Sequence, residues 1–191
     1  MATVRSGAQA VLLVVDVQVG VMSQLWDSHK VIGNVARLVQ RARDEHVPVI
    51  WIQHEAEHLP RGSDEWKIVP ELAPADGEPV IPKEYNSAFE RTSLEAELAR
   101  LGATCIVLAG AASNWCIRAT AYGGLANGYD LMLVSDAHTT HDMETEAGEP
   151  IPAKHIIDEL NTVIDWLRYP SLVCRVASAT DLDFESLSQP A

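Results

Sequence analysis

The chain has 191 residues, of which 47% are hydrophobic and 21% charged, the mixture of an ordinary globular protein. This length is typical of one domain, so we expect a single domain over residues 1–191. The formal net charge is −13. Such a charge argues against binding to the phosphate backbone of nucleic acid and against an anionic membrane surface as partner.

The cysteine content and the N-terminus predict a cytoplasmic location. Cys105, Cys116 and Cys174 are an odd number of cysteines without the spacing of a metal knuckle, which indicates a reducing compartment. The first ten residues, MATVRSGAQA, lack a long apolar run, so we expect neither a signal peptide nor a membrane span.

Short apolar runs alternate with amphipathic stretches along the chain. Runs that are apolar on both faces are typical of parallel strands covered by helices. The run Pro79–Pro82 is the weakest, because proline is confined to an edge or to a strand end. The predicted strands are Val11–Val15, Val47–Gln53, Pro79–Pro82, Thr104–Ala109, Tyr129–Val134 and Ser171–Val176.

Helical periodicity fills most of the intervening segments, which predicts an α/β domain with right-handed crossovers. A capping box at Thr92–Glu95 opens one helix, and Gly102 stops it. Pro152 suits the first turn of another helix, which runs through Leu167. The remaining helices are predicted over His29–His46 and Asn114–Asn127, and long loops over His54–Glu78 and Ala137–Pro150.

Candidate catalytic residues follow the predicted strands, because ligands bind beyond the carboxyl ends of a parallel sheet. Asp16 directly follows VLLVV and is a candidate acid or base; the alternative is a helix or loop cap. Gln18 either orients Asp16 or faces solvent. Cys116 begins a predicted helix, where the dipole lowers a thiol pKa and free N–H groups can hold an oxyanion; the alternative is core packing. Lys83 closes PVIPK and either stabilises a thiolate or is a surface lysine.

Three stretches carry a resemblance to a known family: VLLVVDVQ at 11–18, PKEYNSAFERTSLEAEL at 82–98, and VLAGAASNWCIRATAYGGLANGYDLMLVSDAHTT at 107–140. In this order they resemble the isochorismatase-like cysteine hydrolases, which include nicotinamidases, N-carbamoylsarcosine amidases and streptothricin hydrolases, the last acting on an antibiotic lactam. The resemblance spans nearly the whole chain. It implies a three-layer α/β/α fold with a mostly parallel, Rossmann-like sheet of six strands in the order 3-2-1-4-5-6.

The resemblance also implies a catalytic triad of Asp16, Lys83 and Cys116. Cys116 matches the nucleophile of the family's G-x-x-[ST]-x-x-C turn, with Gly110 and Ser113 at the other positions. The family's cis peptide then falls at Ala111–Ala112, and its oxyanion hole on the N–H groups of Ala112 and Cys116. In the implied mechanism the thiolate attacks a carbonyl, and a thioester acyl-enzyme is then hydrolysed.

Departures from relatives narrow the predicted function. Nicotinamidases carry an Asp-x-His metal pair where this chain has Ile52-Gln53-His54, so we expect neither a metal nor another cofactor. Isochorismatases that cleave a vinyl ether lack the cysteine. We therefore expect hydrolysis of a small-molecule amide, lactam or ureido C–N bond. The alternatives are an isochorismatase and a catalytically silent member that binds a ligand or partner.

Two histidine motifs suggest competing readings. His54-Glu55-Ala56-Glu57-His58 matches H-E-x-x-H, the zinc-protease pattern, which requires a helix. As the first residue beyond its strand, His54 more simply lines the pocket mouth or lies on a surface loop. The segment Asp136–Asp142, DAHTTHD, is either a metal cluster or a set of turn-closing groups.

The substrate-binding residues predicted from their positions are Gln18, His54, Trp66, Tyr85 and Trp115. The alternative for each aromatic residue is packing or a subunit interface. By resemblance we also expect a homo-oligomer, a dimer or a larger assembly.

Overall fold

Six parallel strands form one sheet in the computed structural model, which describes residues 2–187. The six strands are β1 (Ala10–Val15), β2 (Val49–His54), β3 (Val80–Lys83), β4 (Cys105–Ala111), β5 (Asp130–Thr139) and β8 (Cys174–Ala177). Their order across the sheet is β3-β2-β1-β4-β5-β8, and every neighbouring pair is parallel. Because β8 is the last of the six along the chain, the predicted order is confirmed.

Helices cover both faces of the sheet, as the predicted three layers require. A π-helical turn, Ser113–Ile117, follows β4. Within residues 2–187, no helix has the combined length and apolar character needed to cross a bilayer. The helices are α1 (Val19–Met22), α2 (Ser28–Asp44), α3 (Leu94–Arg100), α4 (Arg118–Ala126), α5 (Ala153–Trp166) and α6 (Phe184–Leu187).

The central strand β1 shows why its sequence is apolar throughout. Leu12 and Val14 belong to the core beneath α2, whereas Leu13 and Val15 belong to the core beneath α3, α4 and α5. Successive side chains of a strand point to opposite faces, so a strand covered on both sides must be apolar at every position. All six residues of β1 are buried, and the first residue after it, Asp16, is therefore delivered to the buried edge of the sheet.

The predicted capping box is wrong. The residue before α3 is Ser93, which makes no side-chain cap hydrogen bond. The Thr92 hydroxyl donates to the carbonyl of Ala88 and accepts from the N–H of Leu94, so it closes the preceding turn. Gly102 adopts φ +68° just beyond the helix, as predicted for its stop.

The second predicted loop, Ala137–Pro150, contains regular structure. β5 continues to Thr139, and a short antiparallel pair follows, formed by β6 (Met143–Glu144) and β7 (Pro150–Ile151). The register of β4 with β5 changes from Leu108↔Leu133 to Gly110↔His138. Beyond this bulge β5 resumes its pairing with the end of β4. The apolar run of β5 breaks after Val134, so the sequence did not indicate that the strand continues.

The first predicted loop, after β2, is held against the end of β1. The N–H groups of Val19 and Gly20 donate to Lys67 and Glu65, and that of Val69 donates to Val17. These backbone bonds fix the loop although it contains little regular structure. Its role as a functional loop stays a prediction.

Gly110, near the end of β4, provides a test of this packing. A Cβ at this position would lie 1.9 Å from the Val15 carbonyl oxygen, and φ is +124°, a conformation that L side chains avoid. We expect Gly110→Ala to lower the free energy of unfolding by at least about 3 kcal/mol, measured by urea denaturation.

The matched control is Gly33→Ala, an exposed position inside α2 with nothing within 4 Å of the added methyl. Because alanine favours helix over glycine, this change should raise the free energy of unfolding by about 0.5–1 kcal/mol. Equal stability of the two variants would contradict the packing argument.

Candidate active site

The register of the sheet brings the candidate residues to one edge. His54 ends β2 and pairs with Lys83, which ends β3. Asp16 follows β1, and Cys116 lies in the π-helical turn that follows β4. In a parallel sheet all four of these chain positions lie at the carboxyl edge. The sequence analysis places His54 just beyond its strand, and this is wrong: His54 is the last residue of β2.

Lys83 lies at the centre of the site. Its Nζ is 2.7 Å from Asp16 Oδ2, 3.1 Å from Cys116 Sγ and 3.1 Å from His54 Nδ1. The side chain is fully buried. An ammonium has three N–H donors, and three acceptors surround this one. The structure therefore brings together Asp16, Lys83 and Cys116, with His54 as a fourth member.

Asp16 has one carboxylate oxygen paired and one open. Its φ of +54° is left-handed, which aspartate tolerates better than most residues, and its N–H donates to the Ile52 carbonyl at 2.9 Å. Oδ1 is buried and makes no hydrogen bond within residues 2–187. Ligand-type atoms of Asp16, His54 and Cys116 all lie within 4.8 Å of one another. Burial raises the pKa of Asp16, and the charge of Lys83 opposes the rise.

The Cys116 thiol is buried, and this changes its expected acidity. Burial and the nearby charge of Asp16, opposed by Lys83, together raise its pKa to about 12. The prediction that the helix N-terminus lowers this pKa is therefore wrong. A raised pKa favours the thiol over the thiolate at neutral pH.

Two protonation states of Asp16, Lys83 and Cys116 have the same net charge. Carboxylate, ammonium and thiol have a net charge of zero, and so do carboxylic acid, ammonium and thiolate. A buried site resists a change in net charge but permits an internal proton transfer. The arrangement can therefore convert the thiol into a thiolate without taking up or releasing a charge.

The turn before Cys116 has the predicted backbone. The Ala111–Ala112 peptide is cis, which confirms the position implied by the resemblance. The Ala112 carbonyl accepts from the N–H groups of Trp115 and Ile117, at 3.0 and 3.1 Å. Cys116 lies in the first turn after Ala112, where helical N–H groups lack intrahelical partners. The oxyanion hole at Ala112 and Cys116 stays a prediction.

His54 serves as an acceptor for Lys83. Because Nδ1 accepts from the ammonium, the proton of the neutral ring is on Nε2. Burial lowers the pKa of His54 to about 4, with smaller effects from Lys83 and His58. The zinc-protease reading of this motif is wrong, because His54 ends a strand and no helix holds it and His58 on one face.

The buried side chain of Gln18 holds the loop after β2 in place by hydrogen bonds. Its Oε1 accepts from the His54 N–H at 2.8 Å, and its Nε2 donates to the His54 and Trp66 carbonyls at 3.1 and 2.8 Å. Both alternatives drawn from the sequence are therefore wrong: Gln18 is fully buried, and the hydrogen bonds of its side chain within residues 2–187 go to the backbone of His54 and Trp66 and not to Asp16. Gln53 Nε2 also donates to the Trp66 carbonyl, at 3.0 Å. Trp66 is half-buried, and its Nε1 is buried without a hydrogen-bond partner in the described chain.

The other predicted aromatic residues differ in their surroundings. Tyr85 is half-buried and lines, with Lys83, a cavity of about 240 Å³; the Arg91 guanidinium lies 5.3 Å from its ring centre. Trp115 is 47% exposed.

The sequence analysis did not select Asn86, although its Oδ1 lies 3.9 Å from Cys116 Sγ. The signal was its place directly after Tyr85, in the stretch that carries Lys83.

The interpretation of the segment Asp136–Asp142, DAHTTHD, as a metal cluster is also wrong. Asp136 accepts from the Ala179 N–H, and Asp142 accepts from the Ala153 N–H at the start of α5. His138 bonds to side chains elsewhere, so these groups do not converge. A nicotinamidase-type metal does not fit either, because Ile52 replaces its aspartate and Lys83 bonds to His54 Nδ1.

Comparison with known proteins assigns the family. Residues 10–166 match the model of the isochorismatase domain. The chain therefore belongs to the isochorismatase family of hydrolases, and the family resemblance seen in its sequence is confirmed.

Several relatives share this family. The streptothricin hydrolase of Streptomyces noursei is 31% identical over 74% of this chain and 60% of its own length. The isochorismatase family protein YddQ of Bacillus subtilis is 31% identical over 76% of this chain and 85% of its own. The secreted isochorismatase effector Isc1 of Verticillium dahliae is 30% identical over 58% of this chain and 60% of its own. The chain thus spans about 60% of two of these relatives.

Solved structures share the fold over nearly the whole chain. The isochorismatase of Pseudomonas putida superposes with a TM-score of 0.83 at 28% identity, covering 94% of each chain. The putative isochorismatase hydrolase of Oleispira antarctica gives 0.84 at 26% identity, covering 97% of this chain and 99% of its own.

The buried ion pair predicts a pH-dependent loss of stability in Lys83→Met. Removing the ammonium leaves Asp16 buried without a counter-charge, which costs about 3–5 kcal/mol when the carboxylate is ionised. The folded-state pKa of Asp16 is already raised and rises further in the variant. A raised carboxyl pKa means that the folded state binds more protons, so the stability deficit should grow as pH rises.

Urea unfolding at about pH 5 and about pH 8 measures this deficit against wild type. Asp16→Asn added to Lys83→Met should restore stability at the higher pH. Lys67→Met, which removes an exposed ion pair with Asp64, should change stability by less than about 1 kcal/mol at either pH. A deficit independent of pH would contradict an ionised Asp16 beside Lys83.

Proposed function

We propose that this chain is a cysteine-dependent amidohydrolase acting on the C–N bond of a small-molecule amide, lactam or ureido compound. The observation that carries the proposal is the contact of one buried ammonium, Lys83 Nζ, with both the Asp16 carboxylate and the Cys116 sulfur. A nucleophile and a base, each within hydrogen-bonding distance of one fixed charge, are the parts that covalent acyl transfer needs.

In the acylation step, Asp16 accepts the thiol proton as Cys116 Sγ attacks the substrate carbonyl carbon. Lys83 stabilises the sulfur while it carries negative charge. The N–H groups of Ala112 and Cys116 would hold the oxyanion. Asp16 then donates the proton to the departing nitrogen, because an amide anion is too basic to leave unprotonated.

In the deacylation step, Asp16 accepts a proton from water, and the resulting hydroxide attacks the thioester carbonyl. The C–S bond breaks, the acid product leaves, and the proton returns to sulfur. The residues begin and end the cycle with one shared proton, which matches the neutral pair of states described for the site. None of these steps calls on a metal or a cofactor.

A streptothricin-type lactam is the first substrate we would test, because the streptothricin hydrolase of S. noursei is a relative. We assign His54, Trp66, Tyr85 and Trp115 to the substrate pocket, with Gln18 acting through the backbone of His54 and Trp66. A homo-oligomer, a dimer or larger, and a cytoplasmic location are part of the same proposal.

The test is a screen of streptothricin and small amides, lactams and ureido compounds for release of ammonia or amine. Cys116→Ser should lower kcat by at least about 10³-fold, because the weaker nucleophile cannot use a carboxylate base as efficiently. Cys174→Ser, which removes another free cysteine, should leave kcat unchanged.

Intact-protein mass spectrometry under substrate excess should detect a covalent adduct on Cys116. Full turnover by Cys116→Ser would contradict the proposal. If no compound is turned over and iodoacetamide finds no unusual thiol at position 116, the chain is a silent binding member. Cleavage of isochorismate in preference to every amide would instead favour a vinyl-ether hydrolase.

A further inference from the structure

The end of β5 contacts the turn that carries Cys116. His138 Nδ1 lies 2.8 Å from the Ser113 hydroxyl, and the Thr140 hydroxyl donates to Asn114 Oδ1 at 2.6 Å. We propose that His138 and Thr140 are positioning residues, which clamp the turn 112–117 and so hold Cys116 Sγ against Lys83. This assigns a role to the DAHTTHD motif.

The hydrogen bonds of the clamp have a fixed direction. Asn161 Nδ2 donates to the Ser135 carbonyl at 3.0 Å, so its Oδ1 faces His138 Nε2, also at 3.0 Å. His138 Nε2–H is therefore the donor to Asn161, and Nδ1 is the acceptor from the Ser113 hydroxyl. Burial lowers the pKa of His138 to about 4, so the ring stays neutral and keeps this tautomer at neutral pH.

The bulge in β5 makes the clamp possible. After it, His138 pairs with Gly110, beside the start of the turn. His138 and Thr140 are two residues apart and extend from the same side of the chain, towards the consecutive residues Ser113 and Asn114. Thr139, between them, donates its hydroxyl to the Trp26 carbonyl. All three side chains of this H-T-T segment are fully or almost fully buried.

The clamp acts on catalysis through the position of sulfur. The turn is short, and Cys116 follows Ser113 by less than one helical turn. Loss of both side-chain bonds lets the turn shift, and an ångström of displacement is enough to separate sulfur from its base and from the oxyanion donors. The effect on turnover rests on the proposed function. The effect on the environment of the thiol does not, because it depends only on the contacts of Cys116 with Lys83 and Asp16.

The probe is alkylation by iodoacetamide, followed at Cys116 by peptide mass spectrometry across a range of pH. In wild type, burial, Asp16, Lys83 and His54 together set the profile, and its midpoint should lie well above that of an ordinary thiol, about 8.5. The variant is Ser113→Ala/Thr140→Val, which removes both hydroxyls with little change of shape. We expect its midpoint to fall towards 8.5.

With a substrate in hand, the same variant should lose about 10- to 100-fold in kcat while KM changes by less than about threefold. Ser113→Thr/Thr140→Ser keeps both hydroxyls and should recover most of the wild-type profile. The control Thr104→Val removes a buried hydroxyl that accepts from the Gln9 N–H at the opposite end of β4. It should lower stability but leave both the alkylation profile and kcat as in wild type.

An unchanged alkylation profile in the folded double variant would overturn the clamp. So would an equal shift in Thr104→Val, since the effect would then reflect general destabilisation. If no amide is hydrolysed by wild type while the profile still shifts, the proposed function fails and the clamp stands. If hydrolysis is found and the variant keeps wild-type kcat, the clamp fails and the proposed function stands.

Discussion

A buried ammonium is the interaction on which the rest of this structure depends. Placing the charge of Lys83 away from water costs several kcal/mol, and only well-aligned acceptors offset that cost. Asp16, Cys116 and His54 provide three such acceptors within 3.1 Å. The Cys116 sulfur is thus one of the groups that make the buried charge tolerable, so under the proposed function the same contacts serve both folding and chemistry.

The sheet provides the acceptors in the right place because each comes from a different strand end. Parallel pairing fixes how far each strand reaches, and the pairing of His54 with Lys83 sets two of the four groups side by side. The position of Cys116, which follows β4, depends on Gly110. Because Gly110 has no side chain, β4 can approach the Val15 carbonyl. Burial of an apolar strand therefore also constrains the polar residue that follows it. The strand must be buried on both faces, and the residue after it must then find partners inside the protein.

Sequence predicted the strands well because their apolar runs report burial on both faces, and it selected Asp16, Lys83 and Cys116 because each follows such a run. It missed features set by contacts distant in the chain. The end of β5 is polar, and only its pairing with β4 beyond a bulge makes it a strand. The Thr92 hydroxyl bonds to Ala88, which no local capping pattern reveals. The acidity of Cys116 was predicted with the wrong sign, because a helix terminus is visible in sequence whereas burial and the neighbouring Asp16 are not.

The two histidine motifs show why residue type alone did not decide function. His54 and His138 each belong to a pattern that resembles a metal site, yet each ring uses Nδ1 as an acceptor, from Lys83 in one case and from Ser113 in the other. Burial keeps both rings neutral, which leaves those lone pairs available at neutral pH. A protonated ring in either place would repel the ammonium or reverse the bond to the turn. Neutral histidines thus let the site keep one positive charge, at Lys83, where it faces both the carboxylate and the sulfur.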